Sequence, residues 1–367
     1  MNRTWRQSLF VIVFVLHPSV LNAQLDVTAD YESLVPFRLL PLLHAPEVHD
    51  ELQFSPQQVK ALETLFREID GEWFRARIMP PDKQREVNRE LEQRVAKWLD
   101  EHATSEQRTR LQQLEYRAQG VRFILRSDIV EPLGLSPSQQ EQFAELARAS
   151  DDAQAKLQQA VRQGESTNDL ESQVKKAAQA ERQSLTQRLN EDQQKKLVEL
   201  LGKRFDTETL ARVYPMAPEL VSVKQWLNSD PLTLQALRGK VVLLHFYAFQ
   251  CHNCHANFDI YRRWHRELQE KGVVVLGIQT PETQAERRPD AVRKAAEEAQ
   301  LEFPIMIDLQ AANWQAWGNT MWPTVYVIDQ EGYIRHWWQG ELQWQGATGD
   351  KTIESIVDRL LSEATNE

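Results

Sequence analysis

Residues 240–258 read KVVLLHFYAFQCHNCHANF, and this stretch decides the fold. Its first part, 241–249, is an apolar run rich in β-branched and aromatic residues, interrupted only by His245 and Tyr247. A run of that length and character predicts a strand buried on both faces. Gln250 then leads into Cys251-His252-Asn253-Cys254, and Phe258, Ile260, Tyr261, Trp264 and Leu268 follow at helical spacing. They predict an amphipathic helix that opens at the first cysteine. A strand thus delivers two thiols to a helix N-terminus. Unpaired N–H groups and the helix dipole there favour an anion, which lowers a thiol pKa from about 8.5 and makes a nucleophile.

The chain has 367 residues and only these two cysteines. Its length exceeds one core and predicts two or three folded units. A disulfide framework would spread cysteines to close long loops, so a single close pair points to redox chemistry or to metal or cofactor attachment. The formal charge of −10 and the absence of a basic stripe argue against nucleic-acid binding.

Upstream, Arg3 and Arg6 precede an apolar run, residues 9–16, and then Pro18 and the small-residue site Leu21-Asn22-Ala23. That order predicts a secretory signal over residues 1–23, cleaved to leave Gln24, and a periplasmic or secreted protein. No other stretch is apolar and long enough to cross a membrane, so no span is expected after cleavage. Residues 24–206 use a helical vocabulary of Gln, Glu, Arg, Leu and Ala. Four helix starts place a capping oxygen three residues before a glutamine: Ser55/Gln58, Thr104/Gln107, Ser136/Gln139 and Asn190/Gln193. The first and third starts lie 81 residues apart and the second and fourth 86, which predicts an internal duplication of a two-helix unit. Leucines at helical spacing assign these helices to packing, with no cluster of His, Cys or paired carboxylates facing a common point. The capping pattern resembles, over a few residues per repeat, the motif of small periplasmic helical chaperones of the Spy type. That resemblance implies partner binding.

Residues 207–219, with Pro215 and Pro218, read as a linker. Residues 220–239 carry short apolar pieces and a turn at Asn228-Ser229-Asp230-Pro231, as an N-terminal hairpin would. After the central strand and helix, strands are expected at 273–279, 303–307, 324–328 and 333–338, and helices at 289–300, 311–317 and 352–361. The pattern implies a mixed sheet covered on both faces. Trp337 and Trp338, adjacent on one strand, face opposite sides of it.

The strand, the CHNC at a helix start, and Trp322-Pro323-Thr324 before a later strand together resemble the thioredoxin fold. WLNSDPLTLQALRGKVVLL, GIQTPE and GNTMWPTVYVIDQEG narrow the likeness to secreted thioredoxin-like redoxins, the group with the cytochrome-maturation thioredoxins. The likeness covers about residues 216–363. It implies an α/β thioredoxin-like domain, residues 220–367, behind an all-α domain. It also implies thiol–disulfide exchange on protein substrates, with Cys251 attacking, Cys254 resolving and Pro323 as the cis-proline beside Trp322. A redox partner of unknown identity recharges the pair, and no dissociable cofactor is implied. Three departures leave the redox direction open: His245 stands where the family has a buried acid, Gln250 where it has tryptophan, and His-Asn where it has Gly-Pro. His252 either stabilises the Cys251 thiolate or is a solvated side chain, and His245 is either a neutral buried histidine bonded to a neighbour or a proton relay.

Three other readings remain open at this level. Cys251-His252-Asn253-Cys254-His255 also satisfies the c-type haem attachment pattern. Cys251 and Cys254 with His252 or His255 offer a soft-metal set for Cu(I) or zinc. A non-catalytic chaperone or partner-binding protein would place the main work in the helical half.

Overall fold

The computed structural model describes residues 31–163, 165–207, 210 and 213–363, so the signal expected over 1–23 lies outside the described residues. The helical vocabulary becomes α1 (Leu39–Leu43), α2 (Pro46–Glu51), α3 (Pro56–Ala76), α4 (Pro81–His102), α5 (Ser105–Ala118), α6 (Ser127–Leu133), α7 (Pro137–Gln163), α8 (Asn168–Arg188) and α9 (Glu191–Leu201). Leu62, Phe66 and Ile69 of α3 share a core with Leu91 and Val95 of α4, each contributing about 2 kcal/mol by burial.

All four expected caps form. Their glutamines also reach beyond their own helices. Gln58 Nε2 donates to Gln107 Oε1 at 2.9 Å and to the His102 carbonyl at 2.7 Å, while Gln107 Nε2 donates to the Leu52 carbonyl at 3.1 Å. Gln139 Nε2 likewise donates to Gln193 Oε1 at 2.9 Å and to the Arg188 carbonyl at 2.8 Å, and Gln193 Nε2 to the Gly134 carbonyl at 2.9 Å. Each pair of caps is stitched at its centre, and each glutamine satisfies a carbonyl at the C-terminal end of another helix that would otherwise be an orphan acceptor.

Packing is not the only chemistry in these helices, contrary to the expectation from their leucines. His44 and Asp70, 26 residues apart, are buried together at 2.8 Å, and the Met216 N–H donates to the same carboxylate oxygen at 2.7 Å. Glu115 meets Arg126 at 3.1 Å, and burial, with the Glu115 charge, pushes the neighbouring Glu92 up to about 8. Side chains this far apart in sequence give no periodic signal.

The second half forms β1 (Trp226–Leu227), β2 (Val241–Tyr247), α10 (His252–Leu268), β3 (Val273–Gln279), α11 (Pro289–Glu298), β4 (Ile305–Ile307), α12 (Ala312–Ala316), β5 (Thr324–Ile328), β6 (Ile334–Gln339) and α13 (Gly349–Glu363). The sheet order is β1-β4-β3-β2-β5-β6. β2, β3 and β4 run parallel, while β1, β5 and β6 are antiparallel to their neighbours. Odd-numbered β2 residues such as Val241 and Leu243 pack toward α10, α11 and α13, and even-numbered ones such as Val242 and Leu244 toward the opposite face. A hairpin over residues 220–239 does not form. β1 pairs with β4 instead, because Leu227 has a core to enter there and Asn228 donates to the Leu301 and Phe303 carbonyls at 2.7 and 2.9 Å.

The end of the expected linker is docked rather than free. The Ile334 N–H donates to the Pro215 carbonyl at 3.0 Å and the Ala217 N–H to the Gly332 carbonyl at 2.9 Å, while Met216 is buried with the helical core. α3 then packs its Phe74 against Trp317, Tyr326 and Trp337 at ring separations of 6.3, 5.7 and 6.0 Å. Trp337 therefore faces the helical region and Trp338 the α10 side, as adjacent strand residues must.

Candidate active site

β2 ends at Tyr247, a short turn follows, and α10 starts at His252 with Cys251 as its N-cap. The two sulfurs lie 2.6 Å apart. Cys251 is partly accessible, whereas Cys254 is fully buried. The hydrogen bond from the Cys254 thiol, helped by the N–H groups of Cys254 and Asn253, holds Cys251 below the usual thiol range against burial and the Glu282 charge. Burial above all, and then that same hydrogen bond, pushes Cys254 far up. The anion is favoured on the accessible thiol and disfavoured on the buried one, which is the asymmetry that stepwise exchange requires.

The Trp322-Pro323 peptide bond is cis. Trp322 stacks on Trp314 with ring centroids 3.9 Å apart and packs, with Cys251, against the α10 side of the core. The Pro323 carbonyl accepts from Gly340 N–H at 2.8 Å, and the Gly340 carbonyl accepts from Asn257 Nδ2 at 3.2 Å, so Pro323 is tied to the helix that carries both cysteines.

His252 is exposed in the first turn of α10. His245 is fully buried, stacked on Tyr261 at 4.0 Å and on Tyr247 at 5.3 Å, and burial pulls its pKa down to about 3. The expected bond to a neighbour is absent: neither ring nitrogen has a hydrogen-bond partner in the protein. The reason is its register, since on β2 it faces only aromatic rings and Gly277. His255 directs Nε2 at the Phe249 carbonyl, 2.6 Å away. That contact occupies one ring nitrogen of His255, and Cys254 is buried in the core. Among the described residues no group of three or more His, Cys, Asp or Glu is arranged to hold a metal ion.

Glu286 escaped the sequence reading. Its buried carboxylate accepts from the N–H groups of Gln250, Glu282 and Thr283, each at 2.7 Å, and so fixes the turn before Cys251. A glutamate shortly after the Gln279 end of β3 was the available signal. Glu286→Ala should lower stability by about 3 kcal/mol in denaturant unfolding, since three part-buried backbone donors lose their common acceptor at about 1 kcal/mol each. An unchanged midpoint would show that the turn is held elsewhere.

Residues 213–337 match the AhpC/TSA family. Protein DipZ of Mycobacterium bovis is 36% identical over 152 residues, covering 40% of this chain and 21% of DipZ, so the chain spans about a fifth of that relative's length. Thiol-disulfide oxidoreductase YkuV of Bacillus subtilis is 29% identical over 146 residues, covering 40% of this chain and 94% of YkuV. Among solved structures, a thioredoxin-like protein in the oxidized form is 30% identical, covering 41% of this chain and 96% of its own, with a TM-score of 0.36. A thiol-disulfide isomerase from Corynebacterium glutamicum is 22% identical over 41% of this chain and 97% of its own, with a TM-score of 0.35. The C-terminal region of this chain is thus a thioredoxin-like domain, of the kind found in thiol–disulfide oxidoreductases.

Proposed function

We propose that the protein is an exported thiol–disulfide oxidoreductase that acts on protein thiols or disulfides through Cys251 and Cys254. The observation that carries this reading is the unequal pair: an accessible sulfur held low beside a buried one held high, 2.6 Å apart at a helix start. In the reducing direction the Cys251 thiolate attacks a substrate disulfide, forming a mixed disulfide and releasing one substrate thiolate. Cys254 then gives up its proton and attacks the Cys251 sulfur. The second substrate thiol leaves, and two electrons have passed from the pair to the substrate. The same steps reversed oxidise a substrate dithiol. A redox partner restores the pair.

His245 takes no proton step in this scheme, because a base with a pKa near 3 is too weak to accept the Cys254 proton near neutral pH. The resemblance to thioredoxins makes Pro323, with Trp322, the wall that a substrate chain meets beside Cys251. Export rests on the leader-like order of residues 1–23. The division we propose is a helical partner-binding region over 24–206, a connector over 207–219 and the exchange domain over 220–367. Among the described residues no helix is long and apolar enough to cross a membrane.

Differential alkylation tests the pair. Reduced protein should label first at Cys251, with a pH midpoint below that of a free thiol, and at Cys254 only on unfolding. Faster labelling of Cys254 would refute the assignment.

A further inference from the structure

We propose that Arg77, at the corner between α3 and α4, is a positioning residue of the redox site, holding the loop that leads into Trp322-Pro323. The proposal rests on the exchange reading above. Arg77 Nη2 donates to the Trp317 carbonyl at 3.0 Å, to the Gly318 carbonyl at 3.2 Å and to the Tyr326 hydroxyl at 3.1 Å. That hydroxyl donates onward to Asn319 Oδ1 at 2.7 Å, and Arg75 Nη1 reaches the Ala316 carbonyl at 3.2 Å. Four consecutive residues, 316–319, are therefore held by the helical region directly or through one hydroxyl, and Pro323 follows four residues later.

The brace is built to be stiff. The guanidinium lies 3.5 Å over the Phe74 ring and its Nη1 donates to the Phe74 carbonyl at 2.6 Å, so its own rotamer is fixed by α3. Phe74 is in turn packed against Trp317 and Tyr326, the residues on either side of the loop. A planar fork bonds the Phe74 carbonyl through Nη1 and the loop oxygens through Nη2 at once, a division between two nitrogens that a single ammonium lacks. Gly318 leaves room for this approach: at φ +57° a side chain would be strained, and a Cβ there would sit 3.3–3.4 Å from Ile78, Arg75 and Arg77. The loop's other end is tied to α10 through Pro323, Gly340 and Asn257. The Trp322-Pro323 segment, which the exchange reading makes the wall beside Cys251, is thus fixed at one end by the helix that carries both cysteines and at the other by a different region of the chain.

Displacing such a wall should impair docking of a polypeptide without altering the thiol. In full-length protein with dithiothreitol as reductant, Arg77→Ala should lower kcat/KM toward the disulfides of insulin by about tenfold to a hundredfold, mainly through KM. Its reaction with the small disulfide 5,5′-dithiobis(2-nitrobenzoate) should stay within about twofold of wild type. Arg77→Lys should recover only part of the loss. Arg117→Ala, which removes donors to the Leu201 and Gly202 carbonyls away from the seam, should leave both reactions unchanged. If Arg77→Ala does not fold, Tyr326→Phe removes the hydroxyl joining Arg77 to Asn319 and should show a smaller loss, again in KM. Wild-type insulin kinetics in Arg77→Ala, or in Tyr326→Phe where that variant stands in, or equal losses toward both disulfides, would overturn the brace. A wild type no more active on insulin than Cys251→Ser would instead bring down the exchange reading, and the brace with it.

Discussion

Cys254→Ser should turn the protein into a trap: incubated with a disulfide-bonded protein, it should accumulate a covalent complex visible on a non-reducing gel and dissolved by dithiothreitol. Cys251 remains accessible and still forms the mixed disulfide, but the sulfur that would release it is gone. Cys251→Ser should form no complex and lose at least about a thousandfold of exchange activity, because the remaining thiol is buried and held protonated. The double variant should behave as Cys251→Ser does, since the two residues act as a unit. Complexes formed through Cys254, or full activity in Cys251→Ser, would reverse the roles of the two thiols.

The second large effect concerns His245 and stability rather than turnover. Folded, it takes a proton only near pH 3, whereas in the unfolded chain it does so near 6.5. Between those values the unfolded chain binds more protons. Its stability contribution is therefore complete above about pH 6.5 and is lost as the pH falls through that window. By pH 5 the loss amounts to about 2 kcal/mol. His265 and His336, also depressed by burial, add to the same acid slope, so the informative quantity is the difference between wild type and variant. His245→Leu should flatten that slope and stabilise the protein at pH 7 by about 1–3 kcal/mol, since two ring nitrogens without protein partners no longer have to be buried. Denaturant midpoints at pH 5 and 7 measure both. A variant less stable than wild type with its acid slope intact would mean that the imidazole is bonded and that its burial is not the cost inferred here.

What the sequence determined by itself was local. β2, β3 and β5 fall within or on the expected runs, because a buried strand of β-branched and aromatic residues needs no distant information to be recognised. The cysteines sit at a helix start because the apolar period changes from strand to helix at Gln250, and the four capping boxes were legible because Ser, Thr or Asn three residues before Gln is a contiguous pattern. The tertiary structure decided everything that joins segments far apart in the chain. β1 went to β4 instead of closing a hairpin, since an edge with a core behind it outcompetes a local turn. His245 was visible as a buried polar residue, but only the register of β2 against β3 and the stacking of Tyr261 and Phe303 left its nitrogens without partners. Arg77, more than 200 residues from the loop it holds, carries no periodic or motif signal, and Glu286, 36 residues from Gln250, carries only its place shortly after β3. Their roles come from long-range hydrogen bonds, and such bonds exist only once two separately folded surfaces have met.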